Sequence, residues 1–115
     1  MKYKLHQIHL TSSEVDLINS TGDHNSVEKQ KFKLNMSANE NAGEVAKQAW
    51  DKGFYTHVSN ITATNLENVF EVGNIGPEEN IERIAPMYSV SVGDIVEDEN
   101  GTMSVVASYG FKNVA

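Results

Sequence analysis

Hydrophobic and polar positions change period several times along the chain, and each change predicts where an element begins or ends. Residues 2–10 are rich in Tyr, Leu and Ile, with Tyr3 and Leu5 in one phase and Ile8 and Leu10 in the other. That slip predicts a strand that carries a bulge or is buried on both faces at its end. Thr11 followed by Glu14 forms a capping-box pair. It predicts a short helix through about Ser20, with Val15 and Ile18 inward and Gly22 as its stop. Residues 22–30 are polar and predict a loop. Residues 29–36 alternate, with Phe32, Leu34 and Met36 on one side and Lys29, Lys31 and Lys33 on the other. A half-buried strand with a basic outer face is the simplest account. A helix from Ser26 is the alternative that Lys, Gln, Leu and Met allow.

A second capping pair, Ser37 and Glu40, precedes Ala42, Val45, Ala46, Ala49 and Trp50, which fall on one helix face that closes at Gly53. Trp50, the only tryptophan, is expected to anchor the core. Residues 54–62 read as a strand. Thr64 and Glu67 make a third capping pair, opening a helix with Leu66, Val69 and Phe70 inward and Gly73 as its end. Residues 74–86 form a connector that turns at Gly76-Pro77. From Met87 onward the pattern is β: Val90 and Val92 alternate, Gly93-Asp94 makes a tight step, and Asn100-Gly101 reverses the chain. The second arm spans 102–108, and residues 112–114 close the sheet after a turn at Tyr109-Gly110-Phe111. The expected class is α+β: a small mixed sheet packed against two or three short helices, with a C-terminal β-hairpin, in one domain over 1–115.

Composition narrows the chemistry. The chain has 115 residues and no cysteine, so disulfides, thiolate metal sites and cysteine nucleophiles are excluded. No apolar run has the length of a signal peptide or a membrane span, so the expected setting is a cytoplasm, with no membrane contact. The net charge is -7, and its layout is uneven. Residues 1–53 carry seven Lys and seven acids, whereas residues 54–115 carry Arg83 and Lys112 against nine acids. A field of that sign disfavours nucleic acid and favours a basic partner. Glu67, Glu71, Glu78, Glu79 and Glu82 are the candidate partner surface.

Catalytic and metal chemistry find little support. His6 and His9 stand three apart on an expected strand and so point to opposite faces. His24 beside Asp23 sits in a polar loop. Residues 96–107 fail as a calcium loop, because Val96 and Ala107 fall where ligands belong. No phosphate-cradling glycine motif or nucleophile elbow occurs. Ser104 or Ser108 with His57 is the nearest approach to a nucleophile set. No catalytic residue, metal ligand or cofactor is therefore assigned. Lys29, Lys31 and Lys33 form the one basic cluster, read as an edge-strand guard or, alternatively, as a nucleic-acid contact.

Residues 87–114 carry Ser89, Val90, Ser91, Val92, Gly93, Asp94 and Ile95, then Ala107, Ser108, Tyr109, Gly110 and Phe111. This segment resembles the C-terminal signature of YodL-like domains, small modules of mobile elements and of large phage and plasmid proteins. The run from Phe54 to Arg83 is similar to small tailed-phage proteins of the cyanophage type. The chain departs from the signature at Met103, Ser104 and Tyr109. The resemblance implies a protein acting in a host cytoplasm and supplies no activity. Ser89, Ser91, Gly93, Asp94, Ser108, Tyr109, Gly110 and Phe111 also fit tight turns on their own chemistry. The expected function is that of a small non-enzymatic accessory protein binding a protein partner, host-encoded or a second copy. The alternatives are an acidic mimic of DNA that inhibits a nucleic-acid enzyme, and a nucleic-acid binder acting through the three lysines.

Overall fold

The computed structural model describes residues 1–23, 26–38 and 41–114. Among these the elements run β1 (Lys2–Ile8), α1 (Ser12–Thr21), α2 (Glu28–Ala38), α3 (Ala42–Asp51), β2 (Tyr55–Thr62) and α4 (Leu66–Asn74). A 3-10 turn (Glu78–Asn80) then leads into β3 (Ile81–Arg83), β4 (Ile95–Glu97), β5 (Met103–Val106) and β6 (Phe111–Asn113). The strands form one sheet in the order β3-β2-β1-β4-β5-β6. The class is α+β with a C-terminal hairpin, as expected. All five pairings are antiparallel, where a mixed sheet was expected, and four helices are described rather than two or three. The physical reason is the path of the chain between β1 and β2. The three-helix excursion returns to the end of β1 that it left, so Tyr55 pairs with Ile8.

Helices cover both faces, but each covers only part of one. On one face, Val69 and Val72 of α4 pack on Tyr3, Leu5, Val58, Ile61 and Val96. On the other, Met36 of α2 and Ala42, Ala46 and Ala49 of α3 pack on Ile8, Ile95 and Val105. The alanines let α3 lie close to the sheet. The phase slip in β1 follows from this offset. Tyr3 and Leu5 feed the α4 side, Ile8 feeds the α3 side, and His6, Gln7 and Ile8 are all buried. The bulge lies in the partner strand: the register passes from Leu5↔Ser59 to His6↔His57, leaving Val58 extra.

Local chemistry explains the helix ends. Thr11 Oγ1 accepts from the Glu14 amide at 3.2 Å, while Glu14 Oε1 accepts from the Thr11 amide at 2.8 Å. That backbone bond holds the Glu14 carboxyl below its ordinary range. Gly22 ends α1 at φ +68°, where a side chain is disfavoured. The cap of α4 falls one residue later than expected. Asn65 Oδ1 accepts from the Asn68 amide and Asn68 Oδ1 accepts from Thr64, so two asparagines do what Thr64 and Glu67 were expected to do. In the Ser37–Glu40 pair, Ser37 lies inside α2, and Glu40 is outside the described residues.

Several expectations are corrected, and for residues 29–36 the helical alternative is the reading that stands. Residues 29–36 are helical: Phe32 and Met36, one turn apart, face α3 and the sheet, while Leu34 is exposed. Lys29 and Lys33 therefore share a side that Lys31 does not, and no basic strand edge exists here. Residues 87–91 join no strand ladder and 92–93 form a turn, after which Gly93 and Asp94 bond to the Val106 backbone and strand β4 begins only at Ile95. Val15 and Phe70 are exposed rather than inward. Trp50 is half-buried at the rim of the core, and Gly73 sits within α4 instead of ending it.

Ser59 is fully buried, and its Oγ has no hydrogen-bond partner among the described residues. It stands opposite Leu5 on the apolar α4 side. Removing an unpaired buried hydroxyl recovers its desolvation cost, so Ser59→Ala is expected to stabilise the fold by about 1 kcal/mol in urea melts. A loss of stability would show that the hydroxyl is satisfied.

Candidate functional site

Because α4 lies over the β1–β2 half of one face and α3 over the β5–β6 half of the other, each face keeps one open bay. The bay on the α4 side is a groove of about 250 Å³ lined by Glu67, Phe70, Val106, Ala107, Ser108, Gly110 and Phe111. Its walls are α4 and the β5–β6 turn. In that turn the Ala107 amide donates to Gly110 O, and Gly110 adopts φ +70°. The turn lifts Tyr109 into solvent at 92% exposure, with Phe70 42% exposed across the groove. Phe111 is half-buried and packs on the core below. Glu71 stands one turn beyond Glu67 on α4 and so shares its side. The groove thus presents aromatic surface beside two carboxylates.

The other expected partner-surface acids are not gathered there. Glu78 forms an ion pair with Arg83 beyond the end of α4, and Glu79 is exposed in the same 3-10 turn. Glu82 accepts from Asn60 Nδ2 at 2.7 Å. It points to the opposite face, because its neighbour Ile81 packs on the α4 side. Asp94 is buried, Glu97 is bound to His6, and Asp98 accepts from the Asn100 and Thr102 amides inside the hairpin. The nine acids of the second half do not form the single stripe that a DNA mimic needs. Lys29 is engaged too, bound to Glu14 at 3.1 Å.

The signature residues divide into two turns. Ser108, Gly110 and Phe111 line the groove, and Tyr109 in the same turn is exposed to solvent. Ser89, Ser91, Gly93 and Asp94 belong to a strap that Gln7 fastens to β1 and whose end bonds to Val106. Gln7 Nε2 donates to Tyr88 O and to Asp94 Oδ2, both at 2.9 Å, and Gln7 Oε1 accepts from the Tyr88 amide at 3.0 Å. Asp94 Oδ2 also accepts from the Ser91 amide at 3.0 Å. Tyr55 donates its hydroxyl to Gly93 O at 2.6 Å, and burial raises its pKa. Burial likewise pushes the Asp94 carboxyl up to about 6, against the hydrogen bonds from Ser91 and Gln7. These hydrogen bonds are internal and tie the strap to the fold.

The bay on the α3 side is polar. A cleft of about 530 Å³ is lined by Lys2, Lys4, Asn60 and Glu97 and by the hairpin residues 98–101. Behind it, Glu97 Oε1 lies 3.0 Å from His6 Nε2, and Asn60 Oδ1 lies 2.9 Å from His57 Nε2. Trp50 stands edge-on to His6 at 4.9 Å. Burial lowers the His6 pKa, although Glu97 opposes it. His9 is bound to Gln7 at 3.1 Å, and burial lowers its pKa as well. His24 lies outside the described residues. Sequence reasoning considered His6 and His57 singly and missed the pair. The signal was present in the polar even positions of β1, Lys2, Lys4 and His6, which mark a solvent-side stripe.

Ser104 lies three strands from His57, on the α4 side, whereas Met103 and Val105 face α3. No serine–histidine pair forms there. Among the described residues, no group of three or more His, Asp or Glu side chains is arranged to hold a metal ion, and no helix is long and apolar enough to cross a membrane. No protein-family model matches the chain, and neither the curated proteins nor the solved structures contain one similar enough to establish kinship.

Proposed function

We propose that this chain is a small non-enzymatic accessory protein, of the phage type that its C-terminal segment resembles, and that it binds a protein partner through the groove between α4 and the β5–β6 turn. The carrying observation is the exposed ring of Phe70 beside Glu67 in the groove lining, with the exposed Tyr109 in the adjoining turn. Aromatic side chains contribute most of the energy at binding surfaces, and carboxylates at the rim select a partner of opposite charge. The occupant this chemistry fits is a peptide segment with an apolar anchor flanked by Lys or Arg. The edge of β6 lies beside the groove and offers backbone groups to an extended segment.

Selection of randomised displayed peptides on the immobilised protein tests this reading. The expected winners combine aromatic or leucine anchors with basic flanks, and their binding weakens as salt rises. Phe70→Ala is expected to weaken them about tenfold or more, and Glu67→Lys with Glu71→Lys to abolish the basic preference. Both positions are exposed, so the variants keep the fold. Selection of acidic peptides, or winners indifferent to these changes, would sink the proposal.

A further inference from the structure

His6 and His57 are direct cross-strand partners in β1 and β2, with ring centroids 5.1 Å apart and planes tilted by 39°. Their partners decide which nitrogen carries the proton. Glu97 Oε1, which faces His6 Nε2, only accepts. His57 Nε2 lies 3.1 Å from Ser59 O and 2.9 Å from Asn60 Oδ1. Asn60 must turn its Nδ2 toward the Glu82 carboxylate, so the oxygen is what His57 meets. In both neutral rings the proton therefore sits on Nε2, and Nδ1 keeps its lone pair. No hydrogen bond engages either Nδ1 among the described residues. An imidazole whose N–H is held by a carboxylate or carbonyl, with the other nitrogen open, is the arrangement by which proteins orient histidine toward metal ions. Residues directly opposite in an antiparallel pair have Cβ atoms roughly 5 Å apart, near enough for two rings to share one ion.

We propose that His6 and His57 bind a divalent transition-metal ion such as Cu²⁺, Ni²⁺ or Zn²⁺ through their Nδ1 atoms, as a two-imidazole site completed by water. With no third protein ligand in place among the described residues, the site is open, and its metal preference follows the intrinsic order of imidazole ligation, Cu²⁺ above Ni²⁺. This proposal is independent of the groove on the opposite face.

The sole tryptophan reports on it, because Trp50 touches His6 edge-on. Titrating copper(II) chloride into the full chain is expected to quench Trp50 fluorescence to saturation, with EDTA reversing the quench. His57→Gln is expected to weaken copper binding tenfold or more. Glu97→Gln, which loosens the orientation of His6, is expected to weaken it about tenfold. His9→Gln and His24→Gln should leave the midpoint unchanged. If a histidine variant does not fold, paramagnetic broadening in the wild-type NMR spectrum gives the same answer, with the His6 and His57 ring signals lost first. A quench that never saturates, a midpoint unmoved by His57→Gln, or broadening centred on another histidine would each overturn the assignment.

Discussion

Exchanging Asp94 for asparagine is expected to stabilise the fold at neutral pH by roughly 2 to 3 kcal/mol. Asp94 is 5% exposed, and its carboxyl titrates at about 6 rather than 3.8 because burial disfavours its charge. Between those two values the folded chain holds a proton that the unfolded chain has released. Its contribution is therefore fully present below about pH 3.8 and is lost as pH rises through about 6. An asparagine carries no charge to desolvate, and its Oδ1 can take the same bonds from Gln7 Nε2 and the Ser91 amide. His6 and His9, both lowered, contribute with the opposite sign, so stability from them rises with pH. The difference between wild-type and Asp94→Asn urea midpoints isolates the carboxyl. That difference should grow from pH 4 to pH 6 and then level. A difference independent of pH would show that Asp94 titrates normally.

Gly73→Ala is expected to cost about 2 kcal/mol, although alanine ordinarily favours a helix interior over glycine by about 1. A Cβ at position 73 would meet Val90 Cγ2 at 2.2 Å and Val90 Cβ at 3.2 Å. Val90 is 2% exposed and belongs to the core cluster beneath α4, so its methyl has nowhere to turn. The glycine is what lets α4 lie against the strap. In a double-mutant cycle, Gly73→Ala combined with Val90→Ala should be more stable than the sum of the two single losses, because the smaller residue makes room for the new methyl. Additive losses would place the cost elsewhere.

Much of the fold was readable wherever the deciding interaction is local. The Thr11–Glu14 box, the alanine face of α3 and the Asn100-Gly101 turn lie within a few residues of one another, and each stands in the structure. The segment 29–36 was ambiguous because Phe32 and Met36 satisfy both periods. Only Leu34 distinguishes them, and its exposure is set by tertiary packing. Residues 87–91 alternate like a strand but join no ladder, and only Gly93 and Asp94 reach a strand, at Val106. Side chains serve their backbone instead: Gln7, more than eighty positions away, at Tyr88, Asn74 at Val90 and Asp94 at Ser91. The candidate sites were less legible. The groove needs β6 folded beside α4, and the histidine pair needs the register of β1 against β2. Neither register nor docking is written in any local pattern.

The extra residue at Val58 has a consequence for how the gene can vary. In a regular strand, His57 and Asn60 would project from opposite sides, yet here they are hydrogen-bonded neighbours. Val58 acts as a phase shifter that swaps odd for even partway along β2. Deleting Val58 would leave His57 and Ser59 adjacent, still opposite His6 and Leu5, so the strand would turn regular with its faces kept. One further residue would instead set its two halves out of step and send imidazole or carboxamide into oil. Single-residue insertions across residues 56–60 should therefore be far less tolerated than deletion of Val58, or than insertions in the hairpin loop at 98–101.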